Sequence, residues 1–262
     1  MLTTKKTLKL KRRLRNRERL FGCWTSIGHP AITEMFARSG VDCVTVDMEH
    51  SSTTLDQAQQ IITASQGRGV PCLARVSSHN GEQIRRLLDA GADGILVPNV
   101  AREEEVVRIA DWFLYPPEGK RGFGVGRAQG YGFDFARYTS GWNRRGVLII
   151  QIESVEGVEA AEELLAHPAV DGAMVGPYDI SGSLGIPGQL DHPLVQKACA
   201  KVIQACRKRG KACGTQIVEP TPARVRTAFG RGFTFVILAS DVFILWKWGE
   251  AMGKITGASR RR

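Results

Sequence analysis

The chain has 262 residues, of which 43% are apolar, and a formal net charge of +10. This length suits one large domain or two small ones, and the apolar content is that of a globular protein with a sizeable core. No apolar run approaches the roughly 20 residues of a membrane span, and the basic start lacks the apolar block of a secretory signal. We therefore expect a cytoplasmic protein with no membrane partner.

The positive charge is concentrated at the two ends of the chain. Residues 1–19 contain nine Lys or Arg and one Glu, residues 260–262 are all Arg, and the remaining residues carry a net charge of −1. No nucleic-acid partner is expected, because such an enzyme would carry its charge along the active face. We interpret the first segment as a solvated, partly helical lead-in whose Leu10 and Leu14 touch the fold. Contact with RNA or an acidic membrane, or an Arg-rich targeting peptide, are the alternatives.

After this lead-in, the hydrophobic pattern alternates between strands and helices. Short apolar runs predict eight strands, at residues 20–25, 42–47, 72–76, 94–98, 146–154, 170–175, 211–217 and 233–239. Helical periods after them predict eight helices, at residues 31–38, 55–66, 81–90, 102–113, 155–165, 193–209, 222–229 and 241–255. With no linker between these pairs, the sequence predicts a single α/β domain over residues 1–262. We expect a closed (β/α)8 TIM barrel with a basic lead-in at 1–19 and a basic tail at 256–262.

The six cysteines show no CxxC spacing, so neither a disulfide framework nor a zinc site is indicated. They are interpreted as reduced core thiols, at Cys23, Cys43, Cys72, Cys199, Cys206 and Cys213.

Residues 114–145 form the one long insertion of the predicted barrel, rich in glycine and aromatic residues. A loop of this length inside a compact domain is usually functional. The glycines of residues 121–127 resemble a GxGxxG motif but follow no strand, which disfavours a dinucleotide site. We interpret the segment as a flexible lid in which Arg121 or Arg127 holds an anion.

The last predicted helix is apolar on nearly every side, more than one barrel surface can cover. A subunit interface is therefore expected at its apolar residues, Val242, Phe243, Ile244, Leu245, Trp246, Trp248 and Met252.

Acidic residues follow two consecutive predicted strands. Gln151 and Glu153 end the fifth strand, and Asp179 comes directly after the sixth. Active sites of parallel α/β folds lie at the carboxyl ends of the strands, so the two carboxylates are expected side by side. Hard oxygen ligands of this kind suit Mg²⁺ or Mn²⁺. Either acid could instead be a helix cap or an ion-pair partner.

Further polar residues are predicted at the same rim. Asp47, Glu49 and His50 follow the second strand, and Arg75 ends the third. Two acids for a metal, an arginine for a developing anion and a histidine for proton transfer would serve enolate chemistry. His50 could equally be an ordinary loop histidine, whereas a buried Arg75 needs a carboxylate or a ligand. Asp89 is an acid near a helix C-terminus, where the helix dipole disfavours it, and this hints at a function.

No lysine ends a predicted strand, where a Schiff-base lysine of a barrel aldolase would lie. A metal electrophile is therefore preferred over an imine, and no nucleotide or pyridoxal phosphate cofactor is expected.

The order and spacing of several motifs over almost the whole chain resemble the HpcH/HpaI aldolase family. These motifs are VDMEHSS, the Arg75 strand, LLDAGADGILVP, YPPEGKRGFG, IIQIESVEG and VGPYDISGSLGIPGQLDHP. The family comprises class II pyruvate aldolases such as 4-hydroxy-2-oxo-heptane-1,7-dioate aldolase and 2-keto-3-deoxy-sugar-acid aldolases. The resemblance implies a barrel of the phosphoenolpyruvate/pyruvate type whose last helix packs on a neighbouring subunit, in a homotrimer or homohexamer.

The resemblance also implies roles for individual residues. Glu153 and Asp179 would bind the divalent metal, and the pyruvyl group would be held by Gln151, Gly176, Tyr178 and Asp179. His50 would be the acid/base, Asp89 would raise its basicity, and Arg75 would stabilise the enolate.

The implied reaction is reversible cleavage of a 4-hydroxy-2-oxo acid to pyruvate, or a close analogue, and an aldehyde. Met48, Tyr178 and Gln216 depart from the usual family pattern, and these departures point to a more polar or anionic aldehyde. The alternatives are a citramalyl- or malyl-type acyl-CoA lyase or an oxaloacetate decarboxylase on the same barrel. A non-catalytic protein that binds through its basic N-terminus is an alternative of another class.

Overall fold

Eight parallel strands close into a barrel in the computed structural model, which describes residues 2–260 and the side chains from residue 6 onward. Each strand pairs with the next along the chain, and the eighth pairs with the first, so the predicted (β/α)8 architecture is confirmed. The strands are β1 Leu20–Thr25, β2 Cys43–Asp47, β3 Cys72–Arg75, β4 Gly94–Val97, β5 Val147–Ile152, β6 Gly172–Val175, β7 Ala212–Ile217 and β8 Phe235–Ser240.

Helices connect the strands and return the chain from the carboxyl end of one strand to the amino end of the next. Several begin at a residue whose side chain accepts a backbone N–H of the first turn, such as Thr54, Asn80 and Ser154. The helices are α1 Leu2–Arg15, α2 Pro30–Ala37, α3 Leu55–Gly67, α4 Gly81–Asp89, α5 Glu103–Phe113, α6 Phe135–Arg145, α7 Val155–Glu159, α8 Ala161–Leu164, α9 Pro177–Ser183, α10 Pro193–Lys208, α11 Pro222–Arg231 and α12 Asp241–Ser259, with a 3-10 helix at Arg127–Gly132.

The strands are buried on both faces, which explains why they appear in the sequence as short apolar runs. Their outward side chains join the helices in one large cluster. Their inward side chains fill the barrel in a second cluster, together with Leu10 and Leu14 of α1. The strand members of this cluster are Leu20, Trp24, Cys43, Leu73, Leu96, Val147, Ile149, Met174, Ala212, Phe235 and Ile237.

Helix α1 closes the amino end of the barrel. Leu10 and Leu14 are buried in the inner cluster, as predicted. Lys11 is also buried and donates to Asp171 at 2.7 Å, and Arg15 donates to the other oxygen of the same carboxylate at 2.9 Å. The prediction of a solvated lead-in was therefore wrong for the face of α1 that packs on the barrel, because Lys11 and Arg15 on this face pair with an acid of the barrel.

The insertion at residues 114–145 is folded into the 3-10 helix and α6. It follows α5, which runs back to the amino end of the strands, so it lies at the end of the barrel opposite to Glu153 and Asp179. The segment predicted as a flexible lid therefore does not cover the strand carboxyl ends of its own chain. Arg121 is buried here, with its guanidinium 4.6 Å from the Tyr115 ring centroid and 4.9 Å from that of Trp142.

Helix α12 leaves an apolar surface uncovered. Asp241 is its only buried side chain among the described residues, and its apolar residues are exposed, notably Ile244, Leu245, Trp246, Trp248, Met252 and Ile255. No helix within residues 2–260 is long and apolar enough to cross a bilayer. All six cysteines are free and buried, as predicted.

Candidate active site

A cavity of about 470 Å³ opens at the carboxyl end of the barrel. It contains most of the residues singled out by the sequence, because the strands that precede them end at one rim. The lining residues include His50, Arg75, Gln151, Gly176, Tyr178, Asp179 and Gln216, together with Trp24, Asp47 and Phe243.

Glu153 and Asp179 meet beside Gly176. Glu153 directly follows β5, and Asp179 lies in the first turn of α9 after β6, the neighbouring strand. A Cβ atom on Gly176 would lie 2.9 Å from Glu153 Oε2 and 3.2 Å from Asp179 Oδ2. The absence of a side chain at Gly176 therefore leaves room for two carboxylate oxygens to approach a common point.

Glu153 is buried and held in place by two donors. The Asn99 backbone N–H donates to Oε1 at 2.7 Å, and the Gln151 side-chain amide donates to Oε2. Burial raises the pKa of Glu153, and the charge of Asp179 adds to this effect, although the two hydrogen bonds oppose it. A bound cation would remove this repulsion, since it favours the charged form of both carboxylates.

Arg75 ends β3 and is fixed by Asp47, its partner on β2. Its Nε and Nη2 atoms donate to the two oxygens of Asp47 at 2.9 and 2.8 Å. The guanidinium also lies 4.4 Å from the centroid of the Trp24 ring. This two-point pair leaves Nη1 as the part of the guanidinium that can face a substrate.

Negative charge is in excess around Arg75. Glu49 Oε2 lies 3.0 Å from Arg75 Nη1, yet this buried oxygen receives no hydrogen bond from a described residue. Burial raises the pKa of Glu49, and the charge of Glu153 acts in the same direction, while Arg75 opposes both. The carboxylates of Asp47, Glu49 and Glu153 thus interact with a single arginine, and Asp179 lies beside Glu153. The site therefore electrostatically favours a further cation.

Gln151 connects the arginine to the acid pair. Its amide nitrogen donates to Glu153 Oε2, and its Oε1 lies 3.5 Å from Arg75 Nη1. The second contact is long for a hydrogen bond, so the Gln151 oxygen and Arg75 Nη1 remain available to a ligand between them.

His50 lies in the loop after β2 and lines the cavity, with 68% of its side chain exposed. Its Nε2 atom is 3.6 Å from Glu49 Oε2. The predicted support of His50 by Asp89 is not formed within one chain. Asp89 ends α4, which returns from β3 to the amino end of the barrel, and it pairs there with Arg121 at 2.7 Å and Gln129 at 3.1 Å.

The outer part of the cavity is less polar than the carboxylate end. Tyr178 is largely exposed at its mouth, and Leu190, Val218 and Phe243 also line it. Gln216, near the end of β7, adds a polar side chain to this part of the cavity.

Two residues of the site escaped the sequence analysis. Trp24 lies inside the barrel and stacks on Arg75, and the sequence shows it only as an apolar strand residue. Asn99 follows β4 with a φ of 49°, a conformation that asparagine tolerates better than most residues, and it presents its N–H to Glu153. In the sequence, the signal for this role of Asn99 was its position between Pro98 and Val100, directly after a buried strand.

Comparison with known proteins places the chain among enzymes of carbon–carbon bond chemistry. The sequence model of the HpcH/HpaI aldolase/citrate lyase family matches residues 20–247. The chain belongs to this family. The predicted resemblance is thereby confirmed, and the chain is a carbon–carbon lyase of the aldolase type.

Individual HpcH/HpaI relatives align with nearly the full chain. The 5-keto-4-deoxy-D-glucarate aldolase of Citrobacter koseri is 35% identical over 222 residues, which cover 84% of this chain and 85% of that protein. The hydroxypyruvate/pyruvate aldolase of Roseobacter denitrificans is 33% identical over 244 residues, 92% and 94% of the two chains. A solved structure of an HpcH/HpaI aldolase/citrate lyase family protein from Burkholderia cenocepacia J2315 superposes with a TM-score of 0.88. The two chains are 30% identical, and the superposed region covers 95% of this chain and 99% of the other.

Proposed function

We propose that this protein is a divalent-metal-dependent aldolase that reversibly cleaves a 4-hydroxy-2-oxo acid to pyruvate, or a close analogue, and an aldehyde. The observation that carries the proposal is the approach of Glu153 and Asp179 to one point beside Gly176, at the rim that also holds Arg75. The names of the relatives support the substrate class, since they act on a keto-deoxy sugar acid or on hydroxypyruvate and pyruvate.

The residues present fit a magnesium or manganese ion. Among the described residues no group of three or more His, Cys, Asp or Glu side chains could hold a metal on its own. Two carboxylates are nevertheless the usual protein share for Mg²⁺, which takes its other ligands from water and substrate. Glu153 and Asp179 would hold the ion, and when bound it would act as a Lewis acid towards the 2-oxo acid.

The side chains around this point can bind and orient the pyruvyl group. Helix α9 begins at Pro177, so the backbone N–H groups of Tyr178 and Asp179 have no partner within the helix and can donate to a carboxylate. Gln151 faces the same space. Arg75 Nη1 can donate to the C2 oxygen as negative charge develops there, because Asp47 already fixes the rest of the guanidinium.

Proton transfer at the C4 oxygen is assigned to His50. It lines the cavity beside Arg75 and is exposed enough to exchange protons with solvent. Imidazole can accept and return a proton near neutral pH. In the cleavage direction it would take the C4 hydroxyl proton, and in the addition direction it would return it.

The aldehyde is expected to bind near Gln216. Gln216 offers both a donor and an acceptor in a cavity that Leu190, Val218 and Phe243 also line. A polar or anionic aldehyde with a short apolar part would match this lining.

We further propose that α12 packs on another copy of the chain, in a homotrimer or homohexamer. Its exposed apolar residues exceed what an isolated surface helix usually presents.

A cytoplasmic location also stays a prediction.

Purified protein incubated with Mg²⁺ or Mn²⁺ and a panel of 4-hydroxy-2-oxo acids tests the reaction. Metal-dependent release of pyruvate is expected, and a chelator should stop it. Turnover of citramalyl- or malyl-CoA alone would instead identify an acyl-CoA lyase, and pyruvate formation from oxaloacetate alone would identify a decarboxylase.

A further inference from the structure

A second cavity, of about 310 Å³, lies at the opposite end of the barrel from the carboxylate pair. It is bounded by α6, the 3-10 helix and the segment before β4. Three arginines line it, Arg127, Arg137 and Arg145, so it is unlike the acidic site at the other end.

Arg145 is the buried member of this group, with 8% of its surface exposed. Its guanidinium lies 4.3 Å from the ring centroid of Tyr138 and 5.6 Å from that of Trp142. Among the described residues no carboxylate oxygen lies within 4.0 Å of it. Stacking on rings stabilises the charge but does not satisfy the five N–H donors of a guanidinium. A buried cation of this kind needs an acceptor.

Burial also lowers the pKa of Arg145, while Tyr138 and the charge of Asp93 act in the opposite direction. The charge is therefore held in an unfavourable setting that an anion would relieve.

The two acids that line the cavity have other partners. Asp93 accepts from Thr7, from Gln66 at 2.9 Å and from the Cys72 backbone N–H at 2.9 Å, and burial raises its pKa. Asp134 pairs with Arg137 at 2.6 Å. Neither acid is within ion-pair distance of Arg145 or Arg127.

Arg127, another of the three arginines that line the cavity, also has no carboxylate oxygen within 4.0 Å among residues 6–260. It donates to the Ala90 carbonyl at 3.1 Å, which occupies one of its donors and fixes its position beside the cavity. Two positively charged groups with unused donors thus line one cavity.

We propose that this cavity binds a small oxyanion, the carboxylate or phosphate group of a small metabolite, between Arg127 and Arg145. The volume is that of roughly ten water molecules, enough for such an anion and a few attached atoms. Planar guanidinium groups match both carboxylate and phosphate oxygens. Gln66, Gly91 and Ala92 also line the cavity and would lie next to the rest of the ligand. The site is distinct from the aldolase site and does not depend on its chemistry.

Calorimetric titration with inorganic phosphate and with malonate, in a buffer low in chloride, tests the proposal. Saturable binding of at least one of them is expected, and the anion that binds identifies which oxyanion the site prefers. Arg145→Gln and Arg127→Gln should each weaken the binding at least about tenfold. Arg144→Gln is the matched control, because Arg144 is exposed next to Arg145 and does not line this cavity.

Circular dichroism and thermal unfolding should accompany each variant. If Arg145→Gln fails to fold, Arg127→Gln decides, because Arg127 is only half-buried. The proposal is overturned if neither anion binds saturably, or if folded Arg127→Gln binds as tightly as the wild type.

Discussion

Asp47 and Arg75 are paired residues of adjacent strands, and both oxygens of Asp47 accept from the Arg75 guanidinium at 2.9 and 2.8 Å. The pair is buried. Asp47 therefore sets the position of the one charged donor that faces the proposed enolate oxygen, although it does not itself need to touch the substrate.

Replacement of Asp47 tests this positioning role. Asp47→Asn keeps the shape of the side chain but removes its charge and one strong acceptor, so the Arg75 guanidinium is no longer fixed. We expect kcat/KM for pyruvate release to fall about 100-fold, as is typical when a reacting group is displaced by about 1 Å. Steady-state kinetics check this, with Asp56→Asn as an exposed control. Wild-type kcat/KM in Asp47→Asn would contradict the assigned role.

The same pair predicts a pH dependence of stability. Burial raises the pKa of Asp47, but the hydrogen bonds and charge of Arg75 outweigh it, so the pKa lies below its ordinary value of 3.8. A lowered carboxylate pKa contributes stability that is fully present above 3.8 and is lost as the pH falls through the folded-state value. The wild type should therefore have a higher free energy of unfolding than Asp47→Asn. This difference should be constant from about pH 6 to about pH 5 and shrink towards about pH 3. Urea unfolding at each pH measures it, and a difference that grows on acidification would be inconsistent with the pair.

Gly176 is predicted to control metal affinity because the lack of a side chain there leaves room for the two carboxylates. In Gly176→Ala the added methyl group would lie 2.9 Å from Glu153 Oε2 and 3.2 Å from Asp179 Oδ2, so the carboxylates must move apart. We expect Mn²⁺ affinity to fall at least about tenfold, as when the support of a metal ligand is lost. Gly182→Ala on α9 is the control, since its added Cβ would meet nothing within 4 Å beyond its chain neighbours and the backbone of its own helix. Equal Mn²⁺ affinity in both variants would argue against a shared metal point.

The exposed face of α12 predicts an oligomer. Trp248→Glu places a charge in the apolar surface, which would have to be buried at a subunit interface. Sedimentation velocity should show assembly of the wild type and dissociation of this variant. Lys254→Ser, also exposed on α12, should leave the assembly intact. A monomeric wild type, or an unchanged assembly in Trp248→Glu, would show that α12 is not the interface.

The sequence was sufficient for the barrel and for the approach of Glu153 to Asp179. Buried parallel strands leave short apolar runs, and consecutive strands of a closed barrel are neighbours, so residues after β5 and β6 must share a rim. Asp89 and residues 114–145 do not reach the active-site rim of their own chain, for a reason that the strand order already contained. Asp89 ends a helix that returns to the amino end of the barrel, and residues 114–145 follow another such helix, so neither can reach the opposite rim of the same chain.

Other features depend on packing that a pattern does not show. Nothing in the basic run of residues 1–19 distinguishes Lys11, which is buried against Asp171, from its solvated neighbours. Likewise, the stacking of Trp24 on Arg75 arises from inward side chains of strands distant in sequence. Such contacts depend on the register of the closed barrel.

The most direct test of the aldolase proposal is a Mn²⁺ titration of the wild type, Glu153→Gln and Asp179→Asn, followed by pyruvate release assays on the same samples. The wild type should bind Mn²⁺ and turn over. Each variant should remain folded. Its Mn²⁺ affinity should fall about 10-fold to 100-fold, and its metal-dependent turnover should be lost. Wild-type Mn²⁺ affinity in either variant, or turnover that persists in a chelator, would contradict the proposal.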